Sequence, residues 1–452
     1  MNYLYFFWSL PIIEFMIFPT NLGKINLILI PTIYVFYSIL KMRYEILVNS
    51  IPFFLLFSSL GHSMFGATFA ELISILSFLI LTWYIVKQKK YLISKLQIPI
   101  IGMFIYFILS FLVSFEYISL YKGLINGIGL FGVYGLTRIV IDDEIKVTNF
   151  IKTFIVAVTY ASIIMLFSFY NGINLNSVNR EFMSNVYNQQ LLHAPFFYTN
   201  IFFLTTSAVI VSPSIINFNK NNFKKIIYFI LMLIIIFGIS KNFNKTAFVA
   251  LSFAGSLFII KLLMNRIKLK NIFFIIVIML SLYILSELYL AHEQISGRLL
   301  GFASLRARVA VFESSYAILL ENKHLFIFGL GPEALFRLGG NDIIISAKTH
   351  SRGTEGAIDS GYLSYLFEYG FIFLMLFATY VFSLIINLLF IKNKNLVSKI
   401  DLNNLSFALG LVCICVATIS ITQVLGLGKI SATVFQIFAC SETKIKKKKN
   451  SN

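Results

Sequence analysis

Charge is scarce in this sequence. Asp, Glu, Lys and Arg together make up 12% of its 452 residues, about half the roughly 25% typical of soluble domains. Apolar residues make up 58% of the chain, in long blocks that a water-soluble fold has no interior large enough to hide. With 25 glycines and 8 prolines the chain is also too poor in both for a fibrous protein. Cysteine is nearly absent. Cys413, Cys415 and Cys440 lie in apolar C-terminal segments, without the second pair or the histidines of a metal site. They read as small core or lipid-facing residues, and no disulfide framework is implied. No HExxH, Gly-rich phosphate loop, GxSxG or Cys/His cluster occurs, so nothing in the sequence calls for a metal or another cofactor. No internal repeat of about 20–50 residues is found either. The N-terminus lacks a basic region and a small-residue cleavage site, so its first apolar segment is expected to stay as a helix and act as the insertion signal.

Acidic residues are the scarcer sign: 19 Asp and Glu face 37 Lys and Arg, a net charge of +18. Nucleic acid is not the implied partner, because no basic face interleaved with stacking aromatics occurs in a soluble module. In a membrane protein the same excess arises because Lys and Arg gather in cytoplasmic loops and attract anionic headgroups.

Crossing the hydrocarbon core takes about 20 apolar residues, and the crossing segment must be a helix so that its backbone satisfies itself. Such runs lie near 3–19, 25–40, 46–61, 68–86, 97–115, 118–138, 148–170, 195–213, 226–240, 246–264, 271–290, 361–391, 403–422 and 428–441. The last is short and Gly-flanked, with a re-entrant segment as the alternative. Alternate loops carry Lys41/Arg43, Lys87/Lys89/Lys90/Lys95, Arg138/Lys146/Lys152, Lys220/Lys224/Lys225, Arg266/Lys268/Lys270, Lys392/Lys394/Lys399 and the tail Lys444 to Lys449. The intervening short loops hold little beyond Lys24, Arg180, Lys241, Lys245 and Lys429. The positive-inside rule then places both termini in the cytoplasm, provided 428–441 crosses. The expected fold is an all-α polytopic transmembrane bundle of about 12–14 spans. It divides into N-terminal membrane helices (1–290), a large outer loop (291–358), C-terminal membrane helices (359–441) and a disordered basic cytoplasmic tail (442–452). The long loop holds apolar helical patches, Val309 to Leu320 and Leu325 to Leu330, and is expected to fold against the membrane surface.

Three places could carry chemistry. The outer loop holds Arg298, Arg306, Arg308, Lys323, Arg337, Lys348 and Arg352. These are a solvated surface or, where Arg306 and Arg308 flank an apolar helical pattern at the interface, a set of guanidinium forks suited to a lipid's phosphates. Lys241 and Lys245 stand at the outer end of a helix pair, either snorkelling to headgroups or facing the same phosphates. The stretch from His350 to Gly370 leads from loop into helix. Asp359 fits a helix N-cap; it, Glu355 or His350 fits equally the base that takes a proton from a sugar hydroxyl. Glu368, roughly two and a half turns further on, is an acid within a membrane helix and a functional suspect on that ground. Glu14 and Glu71 are intramembrane acids that would pair with cations or mark a polar path, Glu116 is read as interfacial, and His193, near Arg180 and Glu181, is a weak addition to the site.

Short patterns then suggest a family. Asn244-Lys-Thr-Ala-Phe248, Ser304-Leu-Arg-Ala-Arg-Val-Ala-Val-Phe312 with Leu325-Phe-Ile-Phe-Gly-Leu-Gly331, and Asp359-Ser-Gly-Tyr-Leu363 with Glu368-Tyr-Gly370 occur in that order. The chain resembles the O-antigen polymerase (Wzy) and O-antigen ligase superfamily over roughly Gly238 to Phe390. Lys245 stands where the family often has Arg, and Asp359 where ligases tend to have His. The resemblance implies a metal-independent glycosyltransferase of the bacterial inner membrane, a polymerase that joins undecaprenyl-diphosphate-linked oligosaccharide units on the outer face. Arg298, Arg306, Arg308, Lys245 and Arg352 would hold the diphosphate, Asp359 or His350 would act as base, and Tyr362 and Glu368 would meet sugar. Membrane lipid is a further expected partner, and whether a chain-length regulator binds is left open. The alternatives are a ligase passing glycan to a lipid acceptor and a flippase for the lipid-linked oligosaccharide.

Overall fold

The computed structural model describes residues 2–57, 69–88, 97–113, 127–171, 221–242, 323–329, 361–390, 408, 410–411 and 431–450. Regular structure among them is helical, without a strand. In chain order the helices are α1 (Asn2–Ile17), α2 (Asn21–Leu40), α3 (Tyr44–Phe57), α4 (Phe69–Gln88), α5 (Ile98–Val113), α6 (Gly129–Val140), α7 (Glu144–Tyr170), α8 (Asn222–Asn242), α9 (Lys323–Phe328), α10 (Gly361–Phe390) and α11 (Ser431–Asn450). The apolar runs near 3–19, 25–40, 46–61, 68–86, 97–115, 148–170, 226–240 and 361–391 coincide with helices to within four residues. The run near 118–138 is described as α-helix only from Gly129. Those near 195–213, 246–264 and 271–290 lie outside the described residues, as do Glu116, His193, Cys413 and Cys415.

Two stretches, Glu144–Phe167 (24 residues) and Glu368–Leu388 (21 residues), are long and apolar enough to cross a membrane. At ~1.5 Å per residue they reach ~36 and ~32 Å, against a hydrocarbon thickness of about 30 Å. Shorter apolar helices surround them, among them Tyr3–Ile17, Ile25–Leu40 and Leu72–Lys87.

The interior is built on α3, α7 and α11. Every residue of α3 from Leu47 to Phe57 is buried. Helices α1, α2, α8 and α10 bury one side only. The other side of α1 exposes Phe6, Leu10, Ile13 and Ile17, and that of α2 exposes Leu29, Ile33, Phe36 and Leu40. These spacings of three and four make continuous apolar stripes facing outward, the reverse of a helix at a water surface.

Proline placement follows the same pattern. Pro11, Pro31 and Pro52 lie inside α1, α2 and α3. A proline removes one backbone donor, which costs a helix interior about 3 kcal/mol in water and is tolerated in membranes where another group re-satisfies the freed carbonyl. At Pro52 the freed carbonyl is that of Val48, and it accepts a hydrogen bond from the Gln436 Nε2 amide of α11 at 2.8 Å. Serines and threonines turn back onto their own helices in the same way: Ser77 donates to the Ile73 carbonyl, Thr159 to Ile155 and Ser162 to Val158. Close approach of α4 and α6 depends on Gly132, where a Cβ would sit 2.6 Å from the Phe78 backbone.

The C-terminus departs from the expected disordered tail. Helix α11 runs unbroken through Glu442 to Asn450, and residues 432–445 are buried. The reason is that Glu442 finds a cation and two hydroxyls inside the bundle, so burial does not strand its charge. Cys440 is buried two residues earlier, as expected for a small core residue.

Candidate functional site

Most of the anticipated site, namely Arg298, Arg306, Arg308, Lys245, Arg352, His350 and Asp359, lies outside the described residues. Tyr362 and Glu368 lie within them, on α10. Glu368 is buried and Tyr362 packs at the edge of the core. Two residues beyond Glu368 the helix breaks. Gly370 has φ 78° and ψ 177°, a region of backbone space open in practice to glycine alone.

The short helix α9 fills that break. It ends at Gly329, which also has a positive φ of 74°. A Cβ on Gly329 would lie 2.5 Å from the Glu368 carbonyl oxygen. A Cβ on Gly370 would collide with the Ile327 carbonyl and lie 2.7 Å from the Gly329 amide nitrogen. Two backbones therefore touch where neither tolerates a side chain. Tyr106 of α5 closes the arrangement by donating its hydroxyl to the Ile327 carbonyl at 2.9 Å, which satisfies an otherwise orphaned acceptor in the last turn of α9.

Aromatic rings make up the walls. Tyr369 packs on Phe373 at 4.7 Å and Phe107 at 5.7 Å between ring centroids, Phe326 stacks on Phe371 at 5.2 Å, and Tyr106 lies parallel to Phe328 at 6.4 Å. The segment 323–329, from the centre of the long polar stretch, thus packs against α10 and α5, with Ile327 and Phe328 exposed on its other side. The second apolar patch is helical where expected. The chemical consequence is a buried acid, Glu368, two residues before a helix break, in a region walled by aromatic rings.

A second polar cluster was missed in the sequence. Glu442 Oε1 accepts hydrogen bonds from the Tyr134 and Tyr380 hydroxyls, both at 2.6 Å, and its Oε2 meets Arg138 Nε at 3.2 Å. Arg138 Nη1 also donates to Thr443 Oγ1 at 3.2 Å, and Thr443 donates to the Ile141 carbonyl at 2.8 Å. The Glu442 side chain is 1% exposed and that of Arg138 13%. Both oxygens of the carboxylate are engaged, so the cluster ties α6, α10 and α11 together and leaves no vacancy for a ligand. Its one legible signal is Glu442 itself, the only acid among the lysines that follow the last apolar run. Glu14 accepts from the Asn26 side-chain amide at 2.7 Å, a neutral partner and not the cation that one of its two alternatives called for. Among the described residues no three His, Cys, Asp or Glu side chains gather as a metal site.

The basic loops meet at one end of the molecule. Arg43, Lys87 and Lys146, from three separate loops or helix ends, line one cavity. Ile139 and Val140 of the same cavity follow Arg138, which holds α11. Ser9 of α1 shares a hydrogen bond with Tyr160 of α7 at 2.5 Å, and Phe15 packs on Phe167, so α1 runs parallel to α7 and begins at this same end. No family model matches this chain, and no curated protein matches it either.

Proposed function

We propose that this chain is a polytopic protein of the bacterial inner membrane that polymerises oligosaccharide units carried on undecaprenyl diphosphate. The observation that carries the reading is the interlock of Gly329 with Glu368 and Gly370. Gly329-Leu-Gly331 and Glu368-Tyr-Gly370 are separate short patterns of the resemblance, 39 residues apart from Gly329 to Glu368, and their meeting is what a shared site requires. The outward apolar stripes and the buried prolines support lipid as the solvent for more helices than the two longest, and the common basic end supports a cytoplasmic face there.

On this reading the long segment between Ala291 and Ile358 lies outside and returns to α10 through α9. Arg298, Arg306, Arg308, Arg352 and Lys245 grip the donor diphosphate, an arrangement in which guanidinium groups supply paired charge-assisted hydrogen bonds. The acceptor hydroxyl attacks the donor's anomeric carbon while the bond from that carbon to the diphosphate oxygen breaks. Undecaprenyl diphosphate leaves, the hydroxyl proton passes to Asp359 or His350, and the anomeric centre inverts. Because the leaving group is already good, catalysis rests on positioning and charge stabilisation. Tyr362 and Glu368 contact sugar at the end of α10.

Purified protein in lipid nanodiscs, supplied with its lipid-linked repeat unit, should build a ladder of products on a gel. Arg308→Ala should leave single units on lipid at matched protein amount, a loss of at least 100-fold in polymer. Ladders of normal length from that variant would remove the clamp from the mechanism. In cells, loss of a polymerase leaves one capped repeat, whereas loss of a ligase leaves none.

A further inference from the structure

The cavity at the basic end, about 580 Å³ in volume, lies at the opposite end of α10 from the break at Gly370 and has no part in the proposed transfer reaction. It is lined by the α2–α3 turn (Met42 to Ile46), the end of α4 (Trp83, Tyr84, Lys87) and the α6–α7 turn (Ile139, Val140, Asp142, Lys146). Its charges are not balanced. Lys146 Nζ is paired with Asp142 at 2.7 Å, which leaves Glu45 against Arg43 and Lys87. Among the described residues neither Arg43 nor Lys87 has a carboxylate partner. The Lys87 ammonium rests over the Trp83 ring, 5.9 Å from its centroid.

The wall that carries Arg43 is held in an unusual backbone. The α2 helix ends with Met42 N–H bonded to the Ile39 carbonyl at 2.8 Å and Arg43 N–H to the Ser38 carbonyl at 2.9 Å, a closure that normally places glycine at the left-handed position. Here Met42 occupies it with φ 56°. A non-glycine residue in that conformation is uncommon, and such positions cluster at ligand sites. The turn directs the chain at Arg43 into the cavity wall.

Beside the cavity the surface is apolar and aromatic. Leu79, Trp83 and Val86 of α4 and Tyr37 and Leu40 of α2 are exposed, and Tyr44 meets Tyr84 edge to face at 6.4 Å. Trp and Tyr at this position mark the headgroup level of a bilayer. Two cations without an ion-pair partner among the described residues, in a lining that holds one more positive than negative side chain, stand at headgroup depth next to an apolar wall and match a ligand with one phosphate and attached acyl chains. We propose that this cavity binds the phosphate headgroup of an anionic phospholipid from the leaflet at the basic end, with Arg43 and Lys87 on the phosphate and the acyl chains along α2 and α4. The inference rests on the membrane reading and not on the polymerase reading.

The chain carries its own probe. It has 2 tryptophans: Trp8 is fully buried, and Trp83 lines the cavity at 57% exposure. The protein in nanodiscs would be titrated with brominated phosphatidylglycerol or brominated phosphatidylcholine, and tryptophan quenching followed, with Trp83→Phe assigning the signal. Half-quenching should need about 10-fold less phosphatidylglycerol than phosphatidylcholine, since each cation near the surface favours an anionic headgroup severalfold. The preference should fall to about onefold in Arg43→Gln/Lys87→Gln. Equal quenching by both lipids, or a preference unchanged in the double variant, overturns the site. Relief of quenching by millimolar inorganic phosphate overturns the lipid as ligand in favour of a soluble anion. Retention of the protein in alkali-washed membranes checks the membrane reading separately, and the ladder assay checks the polymerase reading.

Discussion

At the scale of single residues, the clearest determinant is a buried charge made harmless by its partners. Glu442 sits in the bundle because Arg138, Tyr134 and Tyr380 occupy both of its oxygens. Removing one partner of such a pair leaves the other stranded, at a cost of about 3–5 kcal/mol, whereas replacing both by apolar groups of similar size is often neutral. Glu442→Ala should therefore lower the unfolding temperature in detergent by several degrees, and Arg138→Met/Glu442→Leu should recover much of the loss. A double variant as unstable as the sum of its two single variants would show that the cluster is not acting as a unit. The same residue sets the end of the chain apart from the tail its composition suggests. Glu442 followed by Thr443 and then lysines looks like a solvated tail, and only the three partners from α6 and α10 convert it to an interior position.

Among the elements, α9 and the broken α10 depend on each other. The family-like patterns at Gly329 and Gly370 could be read in the sequence, but their mutual fit could not, because each glycine's constraint comes from the other's backbone. Gly370→Ala would force a Cβ into the Ile327 carbonyl and into a backbone region disfavoured by about 1–3 kcal/mol for other residues. It should detach α9 from α10. The expected result is faster hydrogen exchange of the amides from Lys323 to Gly329, measured by mass spectrometry, with exchange in α7 unchanged. Uniform loss of protection across all helices would mean that the glycine serves the whole bundle instead of this junction. Tyr106 adds a hold from α5, since its hydroxyl satisfies the Ile327 carbonyl.

For the whole molecule, the decisive contrast is between faces. Large apolar side chains such as Phe6, Ile33, Leu79, Ile105 and Phe382 point outward while Asn49, Thr153 and Gln436 are buried. In water exposed apolar side chains of this size would be turned inward; the proposed lipid surroundings favour them outward. On the proposed membrane reading the basic end faces the cytoplasm, an orientation that can be measured. With a membrane-impermeant maleimide on spheroplasts, a cysteine replacing Asn341 should label at once in a variant that also lacks Cys413 and Cys415. A cysteine replacing Lys41 should label only after permeabilisation. The reverse pattern would turn the molecule over and place the long segment inside.

The sequence by itself determined the helical character, the approximate ends of α1 to α5, α7, α8 and α10, and the alternation of basic loops. These follow from local properties: apolar run length, proline and glycine placement, and charge. It also marked Glu368, Gly329 and Gly370 as residues of interest. Tertiary structure alone decided which of them meet, that Glu442 is interior, that Gln436 answers the carbonyl freed by Pro52, and that Arg43 and Lys87 share one cavity. Each of those facts joins residues remote in the chain, and a helix's periodicity holds no record of which neighbour its buried face will find.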